Sequence, residues 1–311
     1  MIPKRLKEGD TIGFVSPSSA TDKEKQPLIE NAVKILKNMG LESIFEDNTK
    51  VIDKYGISCG TAKERAESIN KYFKNPEINA IWCLQGGDTV NEILPYLDYE
   101  AIKHNPKIFM GFSDNTVLLN AIYKKTGLVT FQAPDAKAGS EDAHFDSKYS
   151  QTEFRERLMN ANKDIDAEYK VIREGNAKGK IIGANLNCFL KLTGTEYAPD
   201  FKDTIILIEG YRMEVRRALH LIAQLKQQKD FNKVKGVVIG DVFGFDTEEK
   251  KDTSGNRLHF EEIFKELTEE YNFPILKTHS FGHRCPCTTT PIGVQGEIKD
   301  GKLIITEEFI E

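Results

Sequence analysis

The sequence predicts an α/β protein in two parts. The first half reads as a mostly parallel, doubly wound sheet, and the second as a mixed, β-rich α/β unit with antiparallel pairing. Three observations predict this. Short apolar runs alternate with helical patterns as far as Ala133, and strands separated by helices pair in parallel. A polar, weakly patterned stretch at residues 135–176 then interrupts that rhythm. Near the C-terminus, two apolar runs flank Lys299-Asp300-Gly301-Lys302, and Asp-Gly between such runs is a hairpin signal.

Taken in order, residues 11–16 form an apolar run that Pro17-Ser18-Ser19 ends. Residues 28–39 carry Leu28, Ile29, Ala32, Val33, Ile35 and Leu36 at helical spacing, and Gly40 stops the pattern. Thr61 and Glu64 make a capping box, with Ala62, Ala66, Ile69, Tyr72 and Phe73 as the buried face of its helix. Residues 78–84 and 107–112 read as buried strands. Residues 89–97 and 114–125 read as the helices that follow them, and 128–133 as a further strand. The stretch 135–176 reads as a linker or active-site flap with a short helix near 153–159, because long loops in compact proteins are usually functional or disordered. Beyond it, 204–208 and 235–240 read as strands and 213–226 as a helix. Residues 294–298 and 303–306 make the closing hairpin. The expected domains are residues 1–140 and 177–311, joined by a linker or flap at 141–176.

At 311 residues the chain is long for one domain and comfortable for two. The net charge is −5, and basic residues come in short pairs such as Lys124-Lys125 and Arg216-Arg217. With no basic stripe, nucleic acid is not an expected partner. No apolar run approaches the ~18 residues of a membrane-spanning helix, and the first residues lack the apolar stretch of a secretory signal. Cys59, Cys83, Cys188, Cys285 and Cys287 are odd in number and scattered. That suits a reducing compartment, so a cytoplasmic location is expected.

The stretch with most chemistry is Gly111-Phe112-Ser113-Asp114-Asn115, where a buried strand runs directly into a helix. A serine at that junction is pushed out of the sheet edge, with free N–H groups of the helix start behind it, which is the geometry of a nucleophile elbow. The second glycine of the usual elbow is missing, and the same serine could simply cap the helix. Gly86-Gly87 also follows a buried strand. Paired glycines there let a backbone approach a ligand or an anion closely, and they also suit a tight turn. Of six histidines (His104, His144, His220, His259, His279 and His283), His283 in Phe281-Gly282-His283 is the better candidate for an exposed base. Glu209 ends the apolar strand 204–208, placed either to orient a histidine or to pair with an arginine such as Arg212. Ser113, Glu209 and His283 follow the chain order Ser…acid…His that α/β-hydrolases use. Cys285-Pro286-Cys287 is too short for a zinc knuckle, and neither a Walker motif nor Gly-x-Gly-x-x-Gly occurs, so no metal and no cofactor are expected.

With these residues in place, the sequence resembles the LD-carboxypeptidase family of serine peptidases, which includes muramoyltetrapeptide carboxypeptidase and the microcin C immunity peptidases. The resemblance runs from Glu8-Gly9-Asp10-Thr11-Ile12-Gly13 and Ser16-Pro17-Ser18-Ser19 through Gly86-Gly87 and Leu94-Pro95-Tyr96-Leu97 to Gly111-Phe112-Ser113-Asp114. It continues at Gly183-Ala184-Asn185-Leu186, Leu207-Ile208-Glu209, Phe281-Gly282-His283 and Pro291-Ile292-Gly293. It implies a flavodoxin-like N-terminal domain, a β-rich C-terminal domain and a homodimer. It also implies a Ser113–His283–Glu209 triad, with oxyanion donors at the N–H groups of Asp114 and the Gly87 region. The chain departs from the family at Gly210, at residues 211–216 and at Gly183-Ala184, which bears on the substrate subsite. The main expectation is removal of terminal D-Ala from a murein tetrapeptide. The alternative is cleavage of a peptidyl- or aminoacyl-nucleotide, for which no stacking residue stands out: Trp82 lies inside a strand, and the expected flap offers Phe145, Tyr149, Phe154 and Tyr169. A reading from another class is a non-catalytic module that binds a small anion.

Overall fold

The computed structural model describes residues 1–21, 24–46, 52–138 and 144–311, and the expected boundary at 140/141 lies outside them. The elements of the first half are β1 (Thr11–Val15), α1 (Gln26–Asn38), β2 (Glu42–Phe45), α2 (Ala62–Lys74) and β3 (Ala80–Cys83), then α3 (Tyr99–His104), β4 (Ile108–Gly111), α4 (Thr116–Thr126) and β5 (Thr130–Gln132). Next come α5 (Lys148–Leu158), β6 (Lys170–Arg173), β7 (Ala177–Asn185), α6 (Leu186–Phe189), β8 (Thr204–Gly210), α7 (Val215–Lys226) and β9 (Gly236–Val242). The chain ends with β10 (Lys250–Lys251), β11 (Arg257–Leu258), α8 (Phe260–Leu267), β12 (Ile275–Lys277), β13 (Thr290–Ile292), β14 (Gln295–Lys299) and β15 (Lys302–Ile305).

The first sheet has the order β13-β5-β4-β3-β1-β2, and all its pairs except β13–β5 are parallel. The run β2-β1-β3-β4-β5 is the flavodoxin-like order, whose switch point lies between β1 and β3. Strands β3 and β4 are buried at every position, which is why they read as unbroken apolar runs. The capping box of α2 forms as expected: Glu64 N donates to Thr61 Oγ1 at 3.3 Å, and Thr61 N donates to Glu64 Oε2 at 2.8 Å. The segment after Gly86-Gly87 differs from expectation. It is a 3₁₀ helix over Val90–Tyr96, with Pro95 inside it, and a residue without an N–H cannot sustain the α-helical ladder.

Within the stretch expected as linker or flap, residues 144–158 pack on the first sheet. Phe145, in a 3₁₀ turn over His144–Asp146, and Phe154, in helix α5, lie against the fully buried Trp82, with ring centroids 5.0 and 5.2 Å away. Arg157, also fully buried, pairs with Glu153 at 2.9 Å. A buried ion pair inside a polar sequence disguised this helix, which starts earlier than expected.

The second sheet has the order β15-β14-β7-β8-β9-β12-β6. Its centre, β7-β8-β9-β12, is parallel, and antiparallel pairs flank it. The hairpin at Asp300-Gly301 forms as expected, with both residues at positive φ (49° and 74°). The sheets are tied together through α4, where Asn120 Oδ1 accepts from Gly183 N at 2.9 Å and Asn120 Nδ2 donates to Gly183 O at 3.2 Å. One late segment joins both sheets: β13 pairs with β5, and β14, just beyond it, pairs with β7. Among the described residues no helix is long and apolar enough to cross a membrane.

Candidate active site

Strand β4 delivers Ser113 to the C-terminal edge of the first sheet. Phe112 is extended, Ser113 takes φ 59°, and a 3₁₀ turn over Ser113–Asn115 leads into α4. A serine at positive φ is strained, and strain of this kind gathers at functional positions. The neighbouring loop after β3 comes so close that a Cβ on Gly86 would lie 2.8 Å from Ser113 Cβ and 3.0 Å from its Oγ. Glycine is therefore the residue that lets the backbone pass beneath the hydroxyl. Asn115 Nδ2 locks the two loops by donating to Gln85 O at 3.1 Å and Phe112 O at 3.0 Å.

His283 comes to this serine from the other sheet. Its Nε2 lies 3.1 Å from Ser113 Oγ, and its Nδ1 lies 2.7 Å from Glu209 Oε2. A buried carboxylate at Nδ1 fixes the proton there, leaving Nε2 to accept from the hydroxyl. The rings of Phe112 and Tyr211 each lie 4.6 Å from the imidazole. Glu209 is fully buried near the end of β8, beside Asn185 at the end of β7. Asn185 Nδ2 donates to Glu209 Oε1 at 2.7 Å, while Asn185 Oδ1 caps α6 by accepting from Cys188 N at 3.0 Å. Glu209 thus pairs with a histidine and an asparagine, and the alternative partner Arg212 lies over the Tyr211 ring instead.

The loop carrying His283 rests on the end of β9. Asp241 N donates to Phe281 O at 2.7 Å. Gly282 takes φ 138°, and a side chain there would collide with Asp241. Behind this loop Asp241, Asp246 and His279 bring ligand-type atoms within 4.8 Å of one another. Lys277 Nζ already sits among them, donating to Asp246 Oδ2 and to Gly240 O at 2.6 Å each. With that ammonium in place, the cluster is an ion-pair network under the loop. The carboxylate of Asp241 holds the His279 imidazole above its ordinary value, against the opposing effects of burial and of Lys277.

Asp114, the residue after the serine, has a fully buried carboxylate that serves as a hub. Its Oδ2 accepts from Ser18 Oγ at 2.6 Å and from Val90 N at 3.0 Å, and its Oδ1 pairs with Lys191 Nζ at 2.7 Å. This draws together the loops after β1, β3 and β4. The backbone amide of Asp114 faces Gly86, whose ideal Cβ would lie 3.2 Å from it. Ser113, His283, Gly86 and Gly87 line one cleft of about 430 Å³, together with Ser19, Lys25, Gln85, Asp88, Asp135, Lys137 and Tyr211. The structure therefore gathers Ser113, His283 and Glu209 into one hydrogen-bonded chain, with Asp114 and Gly87 beside it. His220 and His104 are exposed and elsewhere. All five cysteines are free and buried. Burial pushes the thiols of Cys83 and Cys188 well up, so neither competes as a nucleophile.

No role was expected from the sequence for Asn185, Lys191, Asp135 or Lys137. Asn185 carried a helix N-cap signal that could have drawn attention. Lys191 lies far along the chain from Asp114 and carried none.

A family model described as the LD-carboxypeptidase N-terminal domain matches residues 12–133, and one described as the LD-carboxypeptidase C-terminal domain matches residues 178–298. The microcin C7 self-immunity protein MccF of Escherichia coli is 31% identical over 98% of this chain and 95% of its own length. The probable murein peptide carboxypeptidase of Bacillus subtilis (strain 168) is 28% identical over 94% of this chain and 90% of its own. A structure of MccF in complex with glutamyl sulfamoyl guanosine is similar with a TM-score of 0.87 and 27% identity, covering 100% of this chain and 99% of that one.

Proposed function

The chain belongs to the LD-carboxypeptidase family and is a serine-type hydrolase, and we propose that it cleaves an amide bond with Ser113 as nucleophile, His283 as base and Glu209 as the acid that orients the base. The observation that carries this reading is the unbroken chain from Ser113 Oγ to His283 at 3.1 Å and on to Glu209 at 2.7 Å. His283 Nε2 takes the Ser113 hydroxyl proton as Oγ attacks the acyl carbon. Glu209 stabilises the imidazolium that results. The oxyanion rests on the N–H groups of Asp114 and the Gly87 region, each contributing ~3 kcal/mol in comparable sites. The imidazolium then gives its proton to the leaving nitrogen, and the amine departs from an acyl-enzyme. Water, deprotonated by His283, attacks that ester and releases the acid and free Ser113.

For the substrate we propose an aminoacyl- or peptidyl-nucleotide. This departs from the murein tetrapeptide that the sequence led us to expect. The support is the likeness of the whole chain to MccF, which has been solved with glutamyl sulfamoyl guanosine. The sole tryptophan, Trp82, is buried in the core, so the aromatic surface available to a base in this cleft is Tyr211, 44% exposed. The likeness to the B. subtilis murein peptide carboxypeptidase keeps the murein tetrapeptide as the second reading. A homodimer in the cytoplasm completes the proposal.

The deciding experiment is product release by mass spectrometry from glutamyl sulfamoyl guanosine and from a murein tetrapeptide ending in D-Ala, with Ser113→Ala as control. Serine-dependent cleavage of the nucleoside compound supports the proposal. Loss of D-Ala alone moves the enzyme to the second reading. Turnover undiminished in Ser113→Ala would end the triad assignment.

A further inference from the structure

The cleft that holds Ser113 contains a charged pair with no part in the triad chemistry. Asp135 and Lys137 follow β5 at the same sheet edge, and both line the cleft. Asp135 is 7% exposed. One of its oxygens, Oδ2, pairs with Lys137 Nζ at 2.9 Å. The other, Oδ1, is buried and has no hydrogen-bond partner among the described residues. An ionised carboxylate only accepts hydrogen bonds, and it has room for about four. A buried carboxylate oxygen left without a donor is costly, and a donor brought by a ligand would relieve that cost. The thiol of Cys83 nearby is a weak donor and cannot supply the charge.

We propose that Asp135 receives a primary ammonium on the acyl side of the substrate, with Lys137 holding the carboxylate in place. A cationic N–H donor matches both the charge and the acceptor-only chemistry of the free oxygen. The inference rests on the hydrolase reading above and deepens it. The ammonium could come from the α-amine of an aminoacyl group or from the side-chain amine of a diamino acid in a murein peptide. Asp135 is thus a specificity residue, and Lys137 a positioning residue.

The test compares kcat/KM of the wild type, Asp135→Asn and Lys137→Met on four compounds. These are glutamyl sulfamoyl guanosine and a murein tetrapeptide, each with its amine free and with it acetylated. Acetylation should lower wild-type kcat/KM by roughly 10- to 100-fold on whichever core is turned over. Asp135→Asn should cost as much on the free amine and almost nothing on the acetylated form. Lys137→Met should weaken the preference for the amine, because the carboxylate loses the ammonium that holds it. If Asp135→Asn slows both forms equally, Asp135 is structural and the inference falls. If the wild type turns over free and acetylated forms alike, the hydrolase reading stands and the ammonium subsite does not. If none of the four shows Ser113-dependent turnover, both fall together. Thermal melts check that the variants fold. Should Asp135→Asn fail to fold, the wild-type acetylation ratio decides alone. The core that is cleaved identifies the source of the ammonium.

Discussion

The two halves of the cleft are built at the same kind of place, the C-terminal edge of a parallel sheet, yet they are finished differently. On the acid side the groups that orient His283 are bonded, although Asp241 Oδ1 beneath its loop is buried without a partner among the described residues. Both Glu209 oxygens are bonded, one to His283 and one to Asn185, and both amide atoms of Asn185 are used. On the serine side Asn115 Oδ1, both amide atoms of Gln132 and Asp135 Oδ1 are buried without partners among the described residues. Ser113 itself sits at positive φ. Buried polar atoms are rarely left in this state. The group that orients the base is therefore bonded before any ligand arrives, while the residues around Ser113 keep most of the unused hydrogen-bonding capacity. The contrast fits the proposed roles, with the base oriented from the second sheet and the substrate received on the first.

Mutations can break this contrast in a graded way. Ser113→Ala should reduce turnover by on the order of 10⁶-fold while leaving the melting curve intact, and single-turnover assays on purified protein check both. Glu209→Gln keeps the volume but loses the charge that fixes the imidazole proton. A loss of about 10⁴-fold in kcat is expected, with substrate binding by Ser113→Ala as the reference for an unaltered cleft. Gly86→Ala forces a methyl to within 2.8 Å of Ser113 Cβ. The resulting shift should cost about 10²-fold in kcat/KM, and a crystal structure of the variant would show Oγ displaced from His283.

Asn185→Ala leaves one Glu209 oxygen buried without a donor. It should lower stability by about 1–3 kcal/mol in urea titration, with a smaller loss of rate than any substitution above. A matching loss from truncating Gln132 would erase the distinction between the two sides. The smallest effect concerns pH. The Asp241 carboxylate raises the His279 imidazole above its ordinary 6.5. A raised folded-state value means that this contribution is fully present below about 6.5 and is lost as pH rises through the folded-state value. His279 is largely exposed, so the change is slight. Melting temperatures across that window should fall less in Asp241→Asn than in the wild type.

The sequence revealed these two sides unequally, for a physical reason. Ser113 was legible because strand, serine and helix are consecutive, so the elbow is a local pattern. Glu209 was legible because a carboxylate ending an apolar strand needs a partner. His283 lies 170 residues from the serine it meets; its Phe281-Gly282 context made it the better candidate among six histidines, and the family resemblance then gave it a place in a triad. Asp114 was expected for its backbone amide. Its carboxylate does at least as much, but the partners Ser18 and Lys191 are 96 and 77 residues away. In the polar stretch at 135–176 the expected helix near 153–159 starts earlier, at Lys148, and its length was hidden because Arg157 and Glu153 pair with each other inside the fold. In the second half the antiparallel hairpin was plain from Asp300-Gly301, whereas the parallel centre was not. Strand β7, with Gly179 and Gly183 inside it, shows no unbroken apolar run.

Strand β13 bears on how the molecule comes into being. It closes the β5 edge of the first sheet, with Pro291 set opposite Phe131. On a ribosome, β5 emerges long before Ile292, and until then its edge offers unpaired backbone to any neighbouring chain. Domains tend to fold as they are made, but this first sheet cannot be sealed until residues 290–292 have emerged. His283 arrives in the same late stretch of chain. Closing the sheet edge and bringing His283 to Ser113 thus wait on one stretch of the nascent polypeptide, residues 283–292.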